Sequence, residues 1–452
     1  MCLPRYGEDK HSRSEADCAA ADENKVVGPR LMDESQRFDL IHVFTGVIGS
    51  EHVRVPSDNE AQVARLIVEP TNAEQIAEVV RKCESDGLTL AAMGASRTLA
   101  QIRRQPADVG VSLAHMDRIL DYEPDDMTVV AEAGVMLGVL NTCTSLHGQR
   151  LPCDPANPEL TTLGALVGAA KSGPLRLSEG GVRDLLIGIR FVGHGGQLIH
   201  GGGRVVKNVA GYDLMKVMTG AYGTLGIITE TIFKVRPLPE NYSLAITSFD
   251  DPANALLAAQ RAEEAATLSH LEVLSPALGH KFARPGRSVV LAGFAGSRTE
   301  AGYYRAHVSN ALRRNTQMLT GEDAIANYQR LRDLDFAGAA AVAQLAVLPA
   351  DLPRCLGACG AEFRAHAASG IAQIFLAPDR TNDEICDAVV RWRDIAHESR
   401  GHLRVLETRA DARANLEMFD RPPEPAMRLM RRLKLAFDPK NIFNPGCFVA
   451  GI

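Results

Sequence analysis

Several features that mark other protein classes are missing from this 452-residue chain. Its longest apolar stretches, such as residues 336–348, fall short of the roughly 20 residues that cross a bilayer and are interrupted by Gln344. No C-x-x-C pair occurs among its nine cysteines, so their spacing predicts neither a disulfide framework nor a zinc or iron–sulfur site. The 49 basic and 55 acidic side chains give a formal charge of −6, which provides no positive field for a phosphate backbone. These absences argue against a membrane-spanning, disulfide-rich or nucleic-acid-binding protein.

The length and composition predict a two-domain protein of the cytoplasm. With 46% apolar residues the chain can bury two cores, because single cores stop growing near about 250–300 residues. Glycine is dense between Gly94 and Gly226 and sparse after Pro239, so we expect a domain boundary near residue 239. Residues 1–39 mix acids and bases and contain no apolar signal-peptide segment, which predicts a mobile tail, and the unpatterned cysteines suit a reducing compartment.

Local patterns predict an α+β fold. Thr71 and Glu74 have the spacing of a capping box, apolar residues follow at helical spacing, and Gly87 is placed to end that helix. In the first domain we further predict a strand at 128–133, a helix at 137–147 and a hairpin of strands 186–192 and 197–200. In the second domain the predicted order is helix 253–266, strand 271–274, strand 288–294, helix 298–313, strand 342–348, helix 353–368, strand 371–376, helix 383–398 and strand 403–408. This order suits helices on one face of a largely antiparallel sheet.

Three glycine-rich segments could carry chemistry: residues 94–98, 161–168 and 220–226. Small residues let backbone N–H groups approach an anion, and hydroxyl donors such as Ser96 and Thr162 add to them, so a diphosphate would fit. The sequence contains neither G-x-G-x-x-G nor a G-x-x-x-x-G-K-[ST] phosphate loop. Each segment alone also fits a tight turn or close packing, so their order along the chain decides between the two interpretations.

That order resembles a known family. The run 201–230, with Gly-Gly-Gly-Arg-Val-Val-Lys-Asn-Val-Ala-Gly-Tyr-Asp at its start, segments 70–76, 93–98 and 151–155, and the closing run 432–446 are similar to the vanillyl-alcohol oxidase or PCMH-type FAD-linked oxidases, and among these to the E-type FAD-binding subunits of bacterial glycolate oxidases. The resemblance implies a two-subdomain PCMH-type FAD-binding domain at 40–239 and an α+β cap domain at 240–424. It also implies that a C-terminal segment, 425–452, returns to the FAD domain.

The resemblance also implies a set of cofactor-binding residues. The diphosphate would lie between Gly94, Ala95, Ser96, Arg97 and Thr98 on one side and Thr162, Leu163, Gly164 and Ala165 on the other; Gly223, Gly226 and Ile227 would lie along the adenosine and ribityl portion; Lys207, Asn208 and Tyr212 would lie near the domain interface or the flavin. For Lys207 a surface or interdomain ion pair is an equal alternative, and Tyr212 could form a structural corner. The diphosphate loop contains no histidine, so we expect FAD to be bound without a covalent bond.

The second domain departs from the family pattern. It lacks the H-x-x-G-D-G-N type segment whose histidine helps related dehydrogenases bind a metal, and its histidines are scattered, so we predict no metal site. Oxidation of a 2-hydroxy acid needs a cation for the carboxylate and a base for the hydroxyl proton. The sequence identifies no catalytic residue for either task. Arg284, Arg287, Arg330 and Arg332 are possible carboxylate forks, although a solvated helix face is the commoner role for such arginines.

Three functions are compatible with these patterns. The first is the FAD-binding subunit of a glycolate oxidase-like complex, a 2-hydroxyacid dehydrogenase that oxidises glycolate to glyoxylate beside a second FAD subunit and an iron–sulfur subunit. Such partners would hold a cytoplasmic chain at the inner membrane. The alternatives are a self-sufficient FAD-dependent D-2-hydroxyacid dehydrogenase and a non-catalytic, flavoprotein-like assembly subunit.

Overall fold

A computed structural model describes residues 34–94, 97–204, 212–282, 286–312, 315–334, 336 and 338–452. Its helices are α1 Glu34–Ile48, α2 Ala73–Asp86, α3 Arg97–Ile102, α4 Leu137–Ser145, α5 Leu163–Gly168, α6 Arg176–Glu179, α7 Val182–Leu185, α8 Leu214–Met218, α9 Pro252–Ala265, α10 Pro276–Gly279, α11 Arg298–Leu312, α12 Gly321–Arg332, α13 Leu352–Cys359, α14 Asn382–Glu398, α15 Ala410–Arg413 and α16 Glu424–Phe437. Because α1 begins at Glu34, residues 34–39 are helical and the predicted mobile tail is too long; residues 1–33 lie outside the described residues.

The strands of the first domain form two main sheets. They are β1 Val53–Arg54, β2 Ala64–Val68, β3 Leu90–Met93, β4 Ala107–Ser112, β5 Ile119–Glu123, β6 Thr128–Glu132, β7 Gln149–Arg150, β8 Leu186–Val192, β9 Leu198–Gly202, β10 Ile227–Lys234 and β11 Arg236–Pro237. One sheet has the order β1-β2-β4-β3 with parallel β2, β4 and β3, and the other is the antiparallel sheet β5-β6-β10-β8-β9. All five residues of β6 are buried, and a continuous apolar core including Leu66, Val129 and Phe233 links the two sheets.

The second domain is built on one antiparallel sheet of eight strands. These are β12 Asn241–Phe249, β13 His270–Leu274, β14 Ser288–Gly296, β15 Gln317–Thr320, β16 Ala341–Ala346, β17 Glu362–His366, β18 Ile371–Leu376 and β19 His402–Thr408, in the order β15-β12-β14-β13-β17-β18-β16-β19. Alternation along the strands puts Ala343, Ile374 and Val405 into the core that Trp392 of α14 completes. The α+β class with an antiparallel sheet is confirmed.

Two local predictions are wrong in instructive ways. The α2 helix is capped one residue later than expected, because Oδ1 of Asn72 accepts the Gln75 amide at 2.9 Å, and Gly87 ends it in the left-handed conformation as predicted. The predicted helix 353–368 stops at Cys359, because Gly360 has φ +60°, and the chain then forms β17. The second half of the segment 353–368, which is predicted to be helical, instead contains β17, a central strand of the sheet.

Residues near the C-terminus pack against the first domain. The Leu90 amide donates to Ile442 O at 2.7 Å, and the Asn444 amide donates to Leu90 O at 2.8 Å, so residues 442–444 extend the edge of the sheet at β3. Nδ2 of Asn444 also donates to Tyr222 O at 2.7 Å. Among the described residues no helix is both long enough and apolar enough to cross a membrane.

Candidate functional site

The glycine-rich segments surround a cavity, the inner cavity, with about 720 Å³ of open space. It lies where β3 ends, where α5 begins and where β10 begins. Its lining is mostly glycine and apolar residues: Ala92, Met93, Gly94, Leu99, Leu113, Leu160, Thr162, Gly164, Ala165, Gly168, Ala169, Lys171, Tyr222, Gly223, Gly226, Ile227 and Ile228. Such a lining suits a long organic ligand better than a small ion.

Close packing requires glycine at two of these lining positions. A Cβ on Gly94 would lie 2.5 Å from Oγ1 of Thr162 and 3.0 Å from the Ala165 methyl group. Gly223 has φ +69°, and a Cβ there would lie 2.6 Å from Nδ2 of Asn444. Glycine therefore lets two chain segments meet at the cavity wall, in addition to leaving room beside a ligand.

The residues on the α5 side of the cavity are small, and the backbone amides of residues 163–165 already donate hydrogen bonds within the protein. Leu163 N donates to Val135 O at 2.9 Å, Gly164 N donates to Ala133 O at 2.7 Å, and Ala165 N donates to Oγ1 of Thr162, the helix cap, at 3.2 Å. These three N–H groups are bonded within the protein. The sequence predicts free backbone donors on this side of the cavity. In the structure these three donors are used, and this side presents only small residues to the cavity.

A second cavity, the outer cavity, adjoins the first and lies between the two domains with about 1710 Å³ of open space. The two cavities share Leu160, Ala169, Lys171 and Tyr222 as lining residues. Tyr222 is buried and has a backbone φ of +53°. Because it lines both cavities, its side chain lies at the junction between them. A ligand in the outer cavity would thus lie next to one in the inner cavity.

A row of polar side chains from four adjacent strands lines the outer cavity. Arg364 of β17 is paired with Gln373 of β18, Gln373 with Gln344 of β16, and Gln344 with Arg404 of β19. All four residues line the cavity. Because alternate residues of a strand point to opposite faces, this row is the polar counterpart of the apolar face that packs on the helices.

Three atoms of this polar row are buried without a hydrogen-bond partner among the described residues. They are Nη2 of Arg364, Oε1 of Gln373 and Nε of Arg404. Buried polar atoms in native proteins are normally satisfied, by protein, water or ligand. The row therefore contains two donors and one acceptor that no described group satisfies, in side chains that line the cavity.

Three of the four arginines that line the outer cavity, Arg332, Arg364 and Arg404, differ in how their charge is balanced. Arg332 is paired with Asp333 at 2.6 Å and Arg364 with Glu272 at 3.1 Å. Arg404 instead donates to two neutral groups, Oη of Tyr222 at 2.5 Å and Oε1 of Gln344 at 3.0 Å. Its positive charge is thus available to an anionic ligand, and Arg404 also joins the cavity wall of the second domain to the junction residue of the first.

Comparisons with known proteins agree with this arrangement. Residues 64–202 match the family model described as FAD binding domain, and residues 414–447 match the C-terminal domain of FAD linked oxidases. Residues 64–202 are therefore similar to the FAD-binding domain of the FAD-linked oxidases. The inner cavity lies largely within this FAD-binding domain, and its apolar and glycine lining fits the extended FAD molecule.

The curated relatives match the chain over about half of their own length. Glycolate oxidase subunit GlcE of Escherichia coli (strain K12) is 34% identical over 168 residues, which are 37% of this chain and 48% of that protein. Glycolate oxidase subunit GlcD of Bacillus subtilis (strain 168) is 27% identical over 229 residues, 50% of this chain and 46% of that protein. D-2-hydroxyglutarate dehydrogenase of Stutzerimonas stutzeri (strain A1501) is 28% identical over 192 residues, 42% of this chain and 41% of that protein.

Solved structures share the fold over most of the chain. P-cresol methylhydroxylase superposes with a TM-score of 0.69, covering 92% of this chain and 97% of that one at 16% identity. Alkyldihydroxyacetonephosphate synthase gives a TM-score of 0.65, covering 84% of this chain and 76% of that one at 20% identity. The PCMH-type fold is therefore confirmed, and the match of residues 64–202 to the FAD binding domain model supports FAD as the cofactor.

The structure brings together about half of the predicted cofactor-binding residues. Gly94, Thr162, Gly164, Ala165, Gly223, Gly226 and Ile227 line the inner cavity. Leu163 points into the core, and Tyr212 is 92% exposed and lines neither cavity. Ala95, Ser96, Lys207 and Asn208 lie outside the described residues, as do the side chains of Arg97 and Thr98. That Tyr212 lies near the domain interface or the flavin stays a prediction.

No pattern in the sequence predicts the polar row. Of the proposed carboxylate forks that the structure describes, Arg287, Arg330 and Arg332, only Arg332 lines the outer cavity, and it is paired with Asp333; Arg284 lies outside the described residues. Arg364 lies in the segment 353–368 that is predicted to be a helix. No sequence pattern marks Arg404 as a carboxylate-binding residue. One available signal was that Gln344 and Gln373 each interrupt an otherwise apolar strand near its middle.

Proposed function

We propose that this chain is the FAD-binding subunit of a glycolate oxidase-like complex and that it oxidises a small 2-hydroxy acid, with glycolate to glyoxylate as the expected reaction. The polar row with its uncompensated Arg404, opening beside the FAD cavity, carries this proposal. A guanidinium is suited to a carboxylate because it offers parallel N–H donors. The relatives named as glycolate oxidase subunits support the same substrate class.

Each cavity has a separate task in this proposal. Gly94, Thr162, Ala165, Gly223 and Gly226 border the space for FAD, which supplies hydride-accepting chemistry when it is bound. Arg404 binds the substrate carboxylate, while Gln344 and Gln373 offer amide groups to its remaining oxygens. Tyr222 orients Arg404 through its hydroxyl group and separates the two ligands. The substrate is thereby held by the second domain against a cofactor held by the first.

The location of both cavities in one chain also favours a second candidate, a self-sufficient FAD-dependent D-2-hydroxyacid dehydrogenase. A subunit that served assembly alone would have no need of an uncompensated cation in a polar cavity. For the complex we propose a second FAD subunit and an iron–sulfur subunit as partners, which would receive the electrons at the cytoplasmic face of the inner membrane. The relatives named as subunits support such an assembly.

The deciding experiment is an anaerobic spectrum of the purified chain before and after addition of glycolate or D-lactate. Flavin bands that bleach with the chain alone support the self-sufficient enzyme. Bands that shift with the acid and bleach only after partner subunits are supplied support the complex. A chain that binds FAD but shows neither a shift nor bleaching, with or without partners, contradicts 2-hydroxy acid oxidation.

A further inference from the structure

A histidine stands at the edge of the outer cavity with one ring nitrogen fixed by a buried carboxylate. His366 ends β17, lines the cavity and keeps 18% of its side chain exposed. Its Nδ1 is hydrogen-bonded to Oε1 of Glu272, which lies on the neighbouring strand β13 directly opposite it. Among the described residues no hydrogen bond occupies the other ring nitrogen, Nε2.

The buried carboxylate determines which ring nitrogen can accept a proton. Glu272 is 1% exposed, and its second oxygen accepts from Nε of Arg364 at 3.1 Å. Burial raises the pKa of the Glu272 carboxyl, but the adjacent His366 and Arg364 outweigh that effect and keep the pKa below its usual value. An ionised carboxylate only accepts hydrogen bonds, so Nδ1 of His366 is the nitrogen that donates to Glu272, and in the neutral ring Nε2 is the nitrogen that carries the lone pair.

A set of titratable and charged groups surrounds the His366–Glu272 pair. His270 lies on the same strand as Glu272 and is fully buried, and burial lowers its pKa to about 4, so it remains a neutral ring. Asp154 of the first domain faces the same region, with Tyr328 hydrogen-bonded to it. Glu272, Arg364, His270 and Asp154 are thus the titratable and charged neighbours of His366, and only His366 and Arg364 among these five residues line the cavity.

We propose that Nε2 of His366 is the proton acceptor in the oxidation of the 2-hydroxy acid, with Glu272 as its positioning residue. The inference rests on the proposed function and adds the base that the sequence did not identify. Conversion of the alcohol to the carbonyl breaks the C–H and the O–H bond; the hydrogen leaves carbon with its electron pair to FAD, and the hydroxyl proton passes to Nε2. The carbon is oxidised by two electrons, and the imidazolium formed is stabilised by Glu272.

The test compares flavin reduction with binding in the FAD-loaded chain, with its partner subunits if the wild type requires them. His366→Gln should bind FAD and perturb its spectrum with glycolate or D-lactate at concentrations within about threefold of the wild type. Its anaerobic reduction rate should fall roughly 100- to 10,000-fold, the usual contribution of a general base. His402→Gln, an exposed histidine on β19, is the matched control and should reduce normally.

The outcomes separate the two ideas. A wild type that neither binds nor is reduced by these acids overturns the proposed function, and the proton-acceptor role with it. A wild type that is reduced while His366→Gln is reduced at a similar rate overturns only the role of His366. If His366→Gln fails to fold, Glu272→Gln replaces it; there the rate should fall at least tenfold while the spectral shift with the acid remains, and an unchanged rate counts against the pair.

A spectroscopic measurement tests the pair without turnover. The ¹⁵N and ¹H signals of the histidine rings, with the His366 signals assigned by their loss in His366→Gln, report which nitrogen is protonated. We expect an Nδ1–H tautomer in the wild type and a mixture of tautomers in Glu272→Gln. A wild-type ring protonated at Nε2 alone would overturn the assignment, because that nitrogen could not take the proton.

Discussion

At the scale of single residues, the two cavities depend on opposite properties. The inner cavity depends on missing side chains, because Gly94 lies close to Thr162 and Ala165 at the point where β3 ends. The outer cavity depends on the guanidinium of Arg404, which has no carboxylate partner in the part of the chain that the structure describes. Each property can be changed by one substitution with a separate readout, FAD content for the first and substrate affinity for the second.

Gly94→Val should abolish or strongly weaken FAD binding. Its Cβ would meet Oγ1 of Thr162 at 2.5 Å, and overpacking of this size costs about 1–3 kcal/mol, or roughly 5- to 100-fold in affinity. Released flavin after acid treatment and the visible spectrum measure the loss. Gly302→Ala in α11, where a Cβ meets nothing within 4 Å, is the control. Full FAD content in Gly94→Val would show that the inner cavity is not the cofactor site.

Arg404→Lys should weaken binding of the 2-hydroxy acid about 10- to 100-fold without changing FAD content. Lysine keeps the charge but lacks the planar fork, so its three donors cannot serve Tyr222, Gln344 and both oxygens of a carboxylate at once, and hydrogen bonds to charged groups are worth about 1.5–3 kcal/mol. Spectral titration with the acid measures the dissociation constant. Arg190→Lys, an exposed change on β8, is the control. An unaltered dissociation constant would remove Arg404 from the binding site.

At the scale of elements, the C-terminal helix α16 is connected to the glycine-rich loop through one buried ammonium group. Nζ of Lys434 donates to Oδ2 of Asp438 at 2.7 Å, to Thr224 O at 2.8 Å and to Phe443 O at 3.0 Å. The carboxylate of Asp438 also accepts the amides of Ile442 and Phe443. This contact holds the chain end beside the residues that border the inner cavity.

Lys434→Met should lower the free energy of unfolding by about 3–5 kcal/mol, because it leaves Asp438 buried without its cation. Arg432→Met on the same helix changes an exposed side chain and should cost less than about 0.5 kcal/mol. Urea unfolding followed by circular dichroism measures both. Equal losses in the two variants would mean that the ion pair contributes no more than a surface charge.

At the scale of the whole molecule, a buried carboxyl group joins the two domains. Asp154 of the first domain accepts from Tyr328 of α12 and from the Leu175 amide. Burial raises the pKa of Asp154 to about 6. The unfolded carboxyl loses its proton near pH 4, so between about pH 4 and 6 the folded state binds more protons. The contribution of this group to the free energy of unfolding therefore falls as the pH rises through that window.

Asp154→Asn should remove this pH dependence while keeping a hydrogen-bond acceptor for Tyr328. Relative to the wild type, its free energy of unfolding should rise on going from pH 4 to 7, by on the order of 2 kcal/mol. Urea unfolding at several pH values measures the difference. Asp117→Asn in the same domain is the control and should show no such trend. A difference between Asp154→Asn and the wild type that is independent of pH would contradict the raised pKa.

The sequence by itself determined the cofactor class and the local elements. Gly87 ended α2 and Gly148 followed α4 because a left-handed position favours glycine wherever it occurs, and the glycine-rich segments kept the order of a known FAD-binding domain. These features are local, so they could be inferred without knowledge of the tertiary packing. The same reasoning misplaced residues 360–368, because helical propensity there is overridden by pairing with β13 and β18.

Only the tertiary structure decided the substrate side of the site. Arg364, Gln373, Gln344 and Arg404 form one row because four neighbouring strands, whose order in the sheet differs from their order along the chain, align in register. Glu272 and His366 are 94 residues apart and meet only across the β13–β17 pair. Which arginine is left without a carboxylate depends on these long-range pairings. A residue's type limits what it can do, but its partners in the folded chain determine which charge or lone pair remains for a ligand.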